Sequence, residues 1–238
     1  MRKILAWTGA LMISLLLLIV GVCQLGQPLS AALTLALPND GTLASQGCWF
    51  TLCPGQTDDE TSSAILTEVA DSHAAEVTRN PVMVEYGYFI PYRLCASFLD
   101  RTLRTCLRTG VDEADTEVRV DLTDADVRLG EVIAQLGSPD SMWMCAGYSP
   151  FLAVTGDEGV QVHVEYANGI TISAFTPSKR QPPIYPTPAN EWRVRHDMKV
   201  FYIEYLPVTP STGRVDNELF FAWRGFTTGP ARRSVCGN

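Results

Sequence analysis

A long apolar run precedes every other pattern in the chain. Arg2 and Lys3 lead into an uncharged, mostly apolar segment over residues 4–23, and the next Lys or Arg is Arg79. Twenty helical residues rise about 30 Å, which matches the hydrocarbon core of a bilayer. Because basic residues collect on the cytoplasmic side of membrane helices, the pattern predicts a single-pass anchor with a cytoplasmic N-terminus.

This topology places residues 24–238 outside the cytoplasm, with the membrane as a partner through the N-terminal helix. We assign residues 1–25 to the cytoplasmic tip and transmembrane anchor. Residues 26–46 are poor in charge and contain turn formers, so we predict a tether there. The alternatives are a cleaved signal peptide, with a site near residues 29–32, and a lipidated Cys23. All three interpretations export the rest of the chain.

Beyond the tether, the apolar positions follow the periods of helices and strands. A first helix is predicted near residues 57–70, with Thr57 as N-cap, Glu60 at capping-box spacing, and an apolar stripe at Ile65, Leu66 and Val69. Strands are predicted after it, because the following residues are β-branched and aromatic, with a break at Pro91. The stretch TEVRVDL over residues 116–122 alternates cleanly between apolar and polar positions.

A second helix and more strands repeat this order. The helix is predicted near residues 128–136, where one face carries Leu129, Val132, Ile133 and Leu136. Among the strands that follow, two alternating runs flank Asn168 and Gly169, which predicts a hairpin with a type I′ turn. Two last strands are predicted within residues 199–207 and 219–226.

These elements predict an α+β fold, with antiparallel sheet and two short helices following the anchor. We place a first helix-plus-strands unit at residues 47–123 and a second at residues 124–238. A single sheet that carries both helices fits the pattern equally well.

The acidic charge excludes one class of partner. The chain has 18 Lys and Arg against 26 Asp and Glu, a formal net charge of −8. Binding to a phosphate backbone depends on Lys and Arg, so no nucleic-acid partner is expected.

The cysteines indicate an oxidising compartment. Besides Cys23 there are six, an even number in an exported chain, which favours disulfides over a metal site: Cys48, Cys53, Cys95, Cys106, Cys145 and Cys236. Six cysteines allow fifteen connectivities, and the sequence cannot choose among them. The short loop makes Cys48–Cys53 the favoured pair. Cys95–Cys106 would join two adjacent strands and leave Cys145 for Cys236.

Two short motifs resemble a family of bacterial envelope domains. Residues 136–140 read LGSPD after the second helix, and residues 54–57 read PGQT before the first. Both are similar to the BamE (SmpA/OmlA) and β-lactamase-inhibitor-protein-like group, and the arrangement with an anchor resembles uncharacterised membrane-anchored bacterial proteins. The resemblance implies helices packed on one face of an antiparallel sheet, and action through protein contacts without catalysis.

No residue is predicted to be catalytic or to hold a cofactor or metal. Alternation places His163 on an exposed strand face, opposite Val162 and Val164, while His73 follows a helix and His196 lies in a charged turn. The acids of DLTDAD, residues 121–126, precede a helix, where they fit an N-cap better than a calcium loop.

The function expected from these patterns is non-catalytic binding of an envelope protein, through an exposed sheet face or aromatic patch. Aromatic residues concentrate at residues 86–92 and 201–226, and alternation turns part of each group outward. The sequence has no G-x-S-x-G, Walker A or dinucleotide-binding motif. An extracytoplasmic hydrolase and a structural cell-surface module are the alternatives.

Overall fold

The computed structural model describes residues 30–38, 46–85, 88–109, 116–148, 158–177, 194–208, 221–223 and 225–226. The predicted anchor, residues 1–25, lies outside this part of the chain. Within it, no helix is both long enough and apolar enough to cross a membrane.

The described elements are mainly strands. The helices are α1 (Ala31–Ala36), α2 (Asp59–Ser72) and α3 (Leu129–Leu136). The strands are β1 (Glu76–Arg79), β2 (Val82–Glu85), β3 (Tyr88–Pro91), β4 (Leu94–Phe98), β5 (Leu103–Thr109), β6 (Thr116–Asp121), β7 (Ser141–Tyr148), β8 (Glu158–Glu165), β9 (Ile170–Pro177), β10 (Lys199–Tyr205) and β11 (Phe221–Ala222). A tight turn at Leu99–Arg101, in which all three residues have positive φ, joins β4 to β5.

Nine strands form one antiparallel sheet in the order β1-β4-β5-β6-β10-β9-β8-β7-β11, and β2 pairs with β3 in a separate hairpin. The predicted α+β fold with an antiparallel sheet is confirmed. Helix α2 precedes β1 to β6, and α3 precedes β7 to β10, so a helix followed by strands does occur twice. The strands of both sets belong to the same sheet and meet where β6 pairs with β10. The unit boundaries at residues 47–123 and 124–238 stay predictions.

The hydrophobic core lies on one face of the sheet, beneath the helices. Strand β6 alternates between buried and half-buried positions along its whole length, so Val118 and Val120 point into the core. Leu66 of α2 and Leu129 of α3 have no exposed surface and belong to the same cluster. The alternation in TEVRVDL therefore marks the core side of the strand, as period two requires.

Helix α1 corrects the predicted tether. Residues 31–37 lie within the segment 26–46, yet Leu33, Ala36 and Leu37 are buried in the core. Two buried side chains hold the helix from its C-terminal end: the Trp49 indole donates to the Leu35 carbonyl at 3.0 Å, and the Tyr205 hydroxyl donates to the Ala36 carbonyl at 2.6 Å. The low charge of the segment indicated a linker. Its apolar side chains, however, stabilise the fold when they are removed from water in the core.

The N-caps differ from those predicted. Helix α2 is capped by Asp58, not Thr57: the Asp58 carboxylate accepts from the Thr61 amide at 2.8 Å, and this bond lowers the pKa of Asp58. Thr57 instead donates its hydroxyl to the Cys53 carbonyl at 3.1 Å. At α3 the cap is Arg128, whose amide donates to the Glu131 carboxylate at 2.8 Å.

The predicted hairpin forms, but its turn type was wrong. Of the two turn residues only Gly169 has a positive φ, +87°, whereas a type I′ turn needs two. The Gly169 amide donates to the Tyr166 carbonyl at 3.0 Å, so the tight turn spans residues 166–169. A Cβ on Gly169 would lie 2.4 Å from the Leu206 carbonyl oxygen, which explains the glycine.

Helix α2 ends in a Schellman motif with an unusual residue at its left-handed position. The Ala75 amide donates to the Ala70 carbonyl at 2.8 Å, the Ala74 amide donates to the Asp71 carbonyl at 3.2 Å, and Ala74 has a φ of +51°. We expect Ala74→Gly to raise the free energy of unfolding by about 1 kcal/mol, because glycine adopts this conformation without a steric cost. Urea unfolding measures the change.

The matched control is Ala64→Gly in the interior of the same helix. It should lower the free energy of unfolding by about 1 kcal/mol, because glycine there loses more backbone entropy than alanine. Equal destabilisation by both substitutions would contradict the assignment of a left-handed Ala74.

Candidate functional site

The face of the sheet opposite helices α1, α2 and α3 carries polar and aromatic side chains. We call it the open face because these helices do not pack on it, although many of its side chains, such as Ser173 and Phe175, are buried. The pairing of β6, β10, β9, β8 and β7 aligns one row of these residues across the sheet: Asp121, Tyr202, Ser173, His163 and Trp143. A β-bulge between Val200 and Tyr202 turns Tyr202 to this face and returns Ile203 to the core. Bulges redirect side chains in this way.

Four of the side chains on this face form a row that we call the aromatic ladder: Arg119, Tyr202, His163 and Trp143. Only the Trp143 and His163 rings are stacked, since the Tyr202 ring is tilted by 58° from that of His163. The Trp143 and His163 rings are parallel within 4°, with centroids 4.0 Å apart. The Tyr202 ring lies 6.4 Å from His163 on the other side. The Arg119 guanidinium carbon is 4.0 Å from the centroid of the Tyr202 ring, within the range of a cation–π interaction.

An ion pair holds the cationic end of the ladder in place. A guanidinium nitrogen of Arg119 is 3.5 Å from a carboxylate oxygen of Glu204, on the neighbouring strand. Their side chains are 11% and 27% exposed, so water screens the attraction only partly. The guanidinium is thereby held over the Tyr202 ring.

The burial of His163 corrects the prediction that it is exposed. It lies opposite Val162 and Val164 as expected, but it retains only 8% of its surface. Its ring nitrogens are 2.7 Å from the Gln161 amide nitrogen and 2.6 Å from the Ser173 hydroxyl. Burial lowers the pKa of His163 to about 3, so the ring is neutral at neutral pH.

The Ser173–His163–Gln161 chain has the residue types of a nucleophile, a base and an orienting group, but its properties do not suit catalysis. Ser173 has no exposed surface from which to attack a substrate. A histidine with a pKa of about 3 is also too weak a base at neutral pH to activate a hydroxyl. These three hydrogen-bonded side chains are better explained as polar packing that fixes the orientation of the His163 ring.

The other histidines lie apart from the ladder. His73 is the C-cap of α2, where one ring nitrogen lies 2.9 Å from the Val69 carbonyl oxygen. His196 contacts the Phe226 ring edge-on, with centroids 6.3 Å apart. Within the described part of the chain, no three His, Cys, Asp or Glu residues come together as a metal site.

The acids of DLTDAD do not cap the helix that follows them. Asp121 accepts from the amide of Thr123 at 2.9 Å, and Asp126 pairs with Arg128. They stabilise the turn between β6 and α3, because the N-cap position itself belongs to Arg128.

Two of the predicted disulfides are present. Cys48–Cys53 and Cys95–Cys106 have S–S distances of 2.01 and 2.03 Å. Cys95 and Cys106 are register partners on β4 and β5, so the bond joins adjacent strands as expected. Cys145 lies on β7, but its side chain and all of Cys236 are outside the described residues, and their pairing stays a prediction.

Sequence reasoning missed Arg119 and Trp143, although the signal was present. Arg119 lies between the core residues Val118 and Val120, and Trp143 lies between Met142 and Met144. The alternation of core and non-core positions along each strand could therefore have placed both side chains on the open face. Their alignment could not be foreseen, because it depends on the pairing of β6 with β10.

Comparisons with known proteins found no match: no family model, no curated protein and no solved structure matches the chain.

Proposed function

We propose that this protein is a membrane-anchored extracytoplasmic domain that binds an envelope protein without catalysing a reaction, and that the partner docks on the open face. The aromatic ladder is the observation that supports this most. Trp, Tyr and Arg are the residues that most often dominate binding energy at protein interfaces. Here their contacts with one another and with His163 hold them in place in advance, which reduces the entropy lost when a partner orders them.

The exposure of the ladder suits docking. Tyr202 and His163 are buried, whereas at the two ends Trp143 is half-buried and the Arg119 side chain is 11% exposed. Partly exposed ends above a buried, rigid middle are typical of the anchor positions at the centre of an interface.

The membrane and export parts of the proposal are supported by the sequence and the disulfides. The apolar run at residues 4–23 follows two basic residues. The bonds Cys48–Cys53 and Cys95–Cys106 are of a kind that persists in exported proteins and is rare in the cytosol. The resemblance to BamE-like domains, which act through protein contacts, agrees with this assignment.

Site-specific cross-linking in native membranes tests the proposal. A photoreactive side chain at Ser141, on the open face beside Trp143, should give a discrete cross-linked product. The same probe at Glu60, on the exposed side of α2, should not. We expect Trp143→Ala and Arg119→Ala each to lower the yield about tenfold, because truncating an interface anchor costs more than 1 kcal/mol.

Trp223→Ala and Arg195→Ala are the matched controls, since both residues lie off the ladder, and they should leave the yield unchanged. Equal cross-linking from Ser141 and Glu60, or yields insensitive to Trp143→Ala, would refute docking on the open face. Turnover of a generic ester by the full chain, abolished in Ser173→Ala, would establish the hydrolase alternative instead.

A further inference from the structure

A cavity of about 610 Å³ lies between α2 and the neighbouring ends of β1 and β4. Its α2 wall is formed by five residues that recur along one side of the helix: Ser63, Ala64, Thr67, Glu68 and Asp71. The sheet wall includes Arg79, Asn80 and Arg93. Because α2 packs on the core face, this cavity is separate from the open face.

Small side chains on α2 leave the space unfilled. The Ser63 hydroxyl donates to the Asp59 carbonyl and the Thr67 hydroxyl donates to the Ser63 carbonyl, both at 2.8 Å. Both hydroxyls thus donate to carbonyls of their own helix.

The size of the cavity suits a short peptide. A sphere with the volume of the cavity is about 10 Å across. Three extended residues also span about 10 Å, so a tripeptide matches the space in length.

Charges of opposite sign face each other across the cavity. Glu68 and Asp71 lie on the helix wall and Arg79 on the sheet wall. All three side chains are exposed to solvent, and within the described part of the chain none of them has a hydrogen bond or ion pair with another residue. Arg93, in contrast, is already neutralised by an ion pair with Asp59.

We propose that this cavity binds a short zwitterionic peptide, a role beyond docking on the open face. The peptide ammonium group is held by the carboxylates of Glu68 and Asp71, and its carboxylate by the Arg79 guanidinium with the Asn80 amide. A simple anion would face two carboxylates, and a simple cation would face Arg79. A ligand that carries both charges complements both walls.

Calorimetric titration of the full chain with triglycine tests this site. Two capped ligands isolate each end: N-acetyl-triglycine lacks the ammonium group, and triglycine amide lacks the carboxylate. We expect saturable binding of triglycine and a loss of about tenfold for either capped form, as for the loss of one charge-assisted hydrogen bond.

Substitutions then assign each end to a wall. In Arg79→Gln, triglycine should bind no better than triglycine amide, while the affinity for the amide is unchanged. In Glu68→Gln, the advantage of triglycine over N-acetyl-triglycine should shrink. Arg101→Gln, an exposed arginine outside the cavity, is the control and should change nothing. Equal binding of capped and free triglycine, or no saturation at about 10 mM, overturns the proposal.

Discussion

Replacing His163 with glutamine is expected to make the protein more resistant to acid. Between pH 6.5 and about pH 3, protonation of His163 should lower the free energy of unfolding of the wild type by about 5 kcal/mol, and the variant should not show this loss. The wild-type chain should lose stability at up to about 1.4 kcal/mol per pH unit from this group alone. The variant should lack that component at every pH in the range. Urea unfolding of the oxidised chain at several pH values gives the two curves.

The sign follows from the direction of the shift. Burial lowers the pKa of His163 from 6.5 in the unfolded chain to about 3 in the folded one. Above the unfolded pKa the ring is neutral in both states, so its titration does not change the free energy of unfolding. As the pH falls, the unfolded state takes up a proton that the folded state excludes, so unfolding becomes easier until the folded pKa is reached.

His73→Gln provides the matched control, because His73 is exposed at the end of α2. The acid-induced loss of stability that comes from His163 should remain in this variant. If His163→Gln kept that loss as well, His163 would have to be accessible to protons in the folded protein, and the rigid ladder would be ruled out.

The second large effect is expected at α1. Leu33→Ala should lower the free energy of unfolding by about 3 kcal/mol, because Leu33 has no exposed surface and its removal leaves a cavity in the core. Tyr205→Phe should cost about 2 kcal/mol, since it leaves the buried Ala36 carbonyl without its donor. Denaturant unfolding measures both losses.

Thr34→Ala tests whether these losses come from the buried side of α1. Thr34 is exposed between the buried Leu33 and Leu35, so its truncation should cost no more than about 0.5 kcal/mol. Three small effects of equal size would mean that residues 31–37 are the tether that their low charge suggested.

Local pattern was sufficient wherever one strand or helix determines the outcome. The alternation of β6 identified Val118 and Val120 as core residues, and the apolar spacing of Leu129 and Val132 located α3. Cys95–Cys106, one of the pairings that the sequence left open, does join neighbouring strands. In each case the deciding interactions lie within a few residues along the chain, or between strands joined by one turn.

Features that depend on distant pairing could not be predicted. Tyr202 reaches the open face only because β10 has a bulge, and Arg119 meets it only because β6 and β10 are neighbours in the sheet. His163 was expected to be exposed because one strand gives no information about the ring stacked on it from the next. The candidate site is therefore almost entirely a product of tertiary structure, while its individual residue types are visible in the sequence.

The central position of β10 constrains the order in which this chain can fold. It is the last long strand described, yet it lies between β6 and β9, and its Tyr205 also holds α1. Until β10 has been synthesised, β6 and β9 each have an unpaired edge, and α1 lacks the Tyr205 donor. Such edges invite pairing with other chains, and long-range strand pairing is slow. The nascent protein is thus exposed to aggregation until its final third has been synthesised.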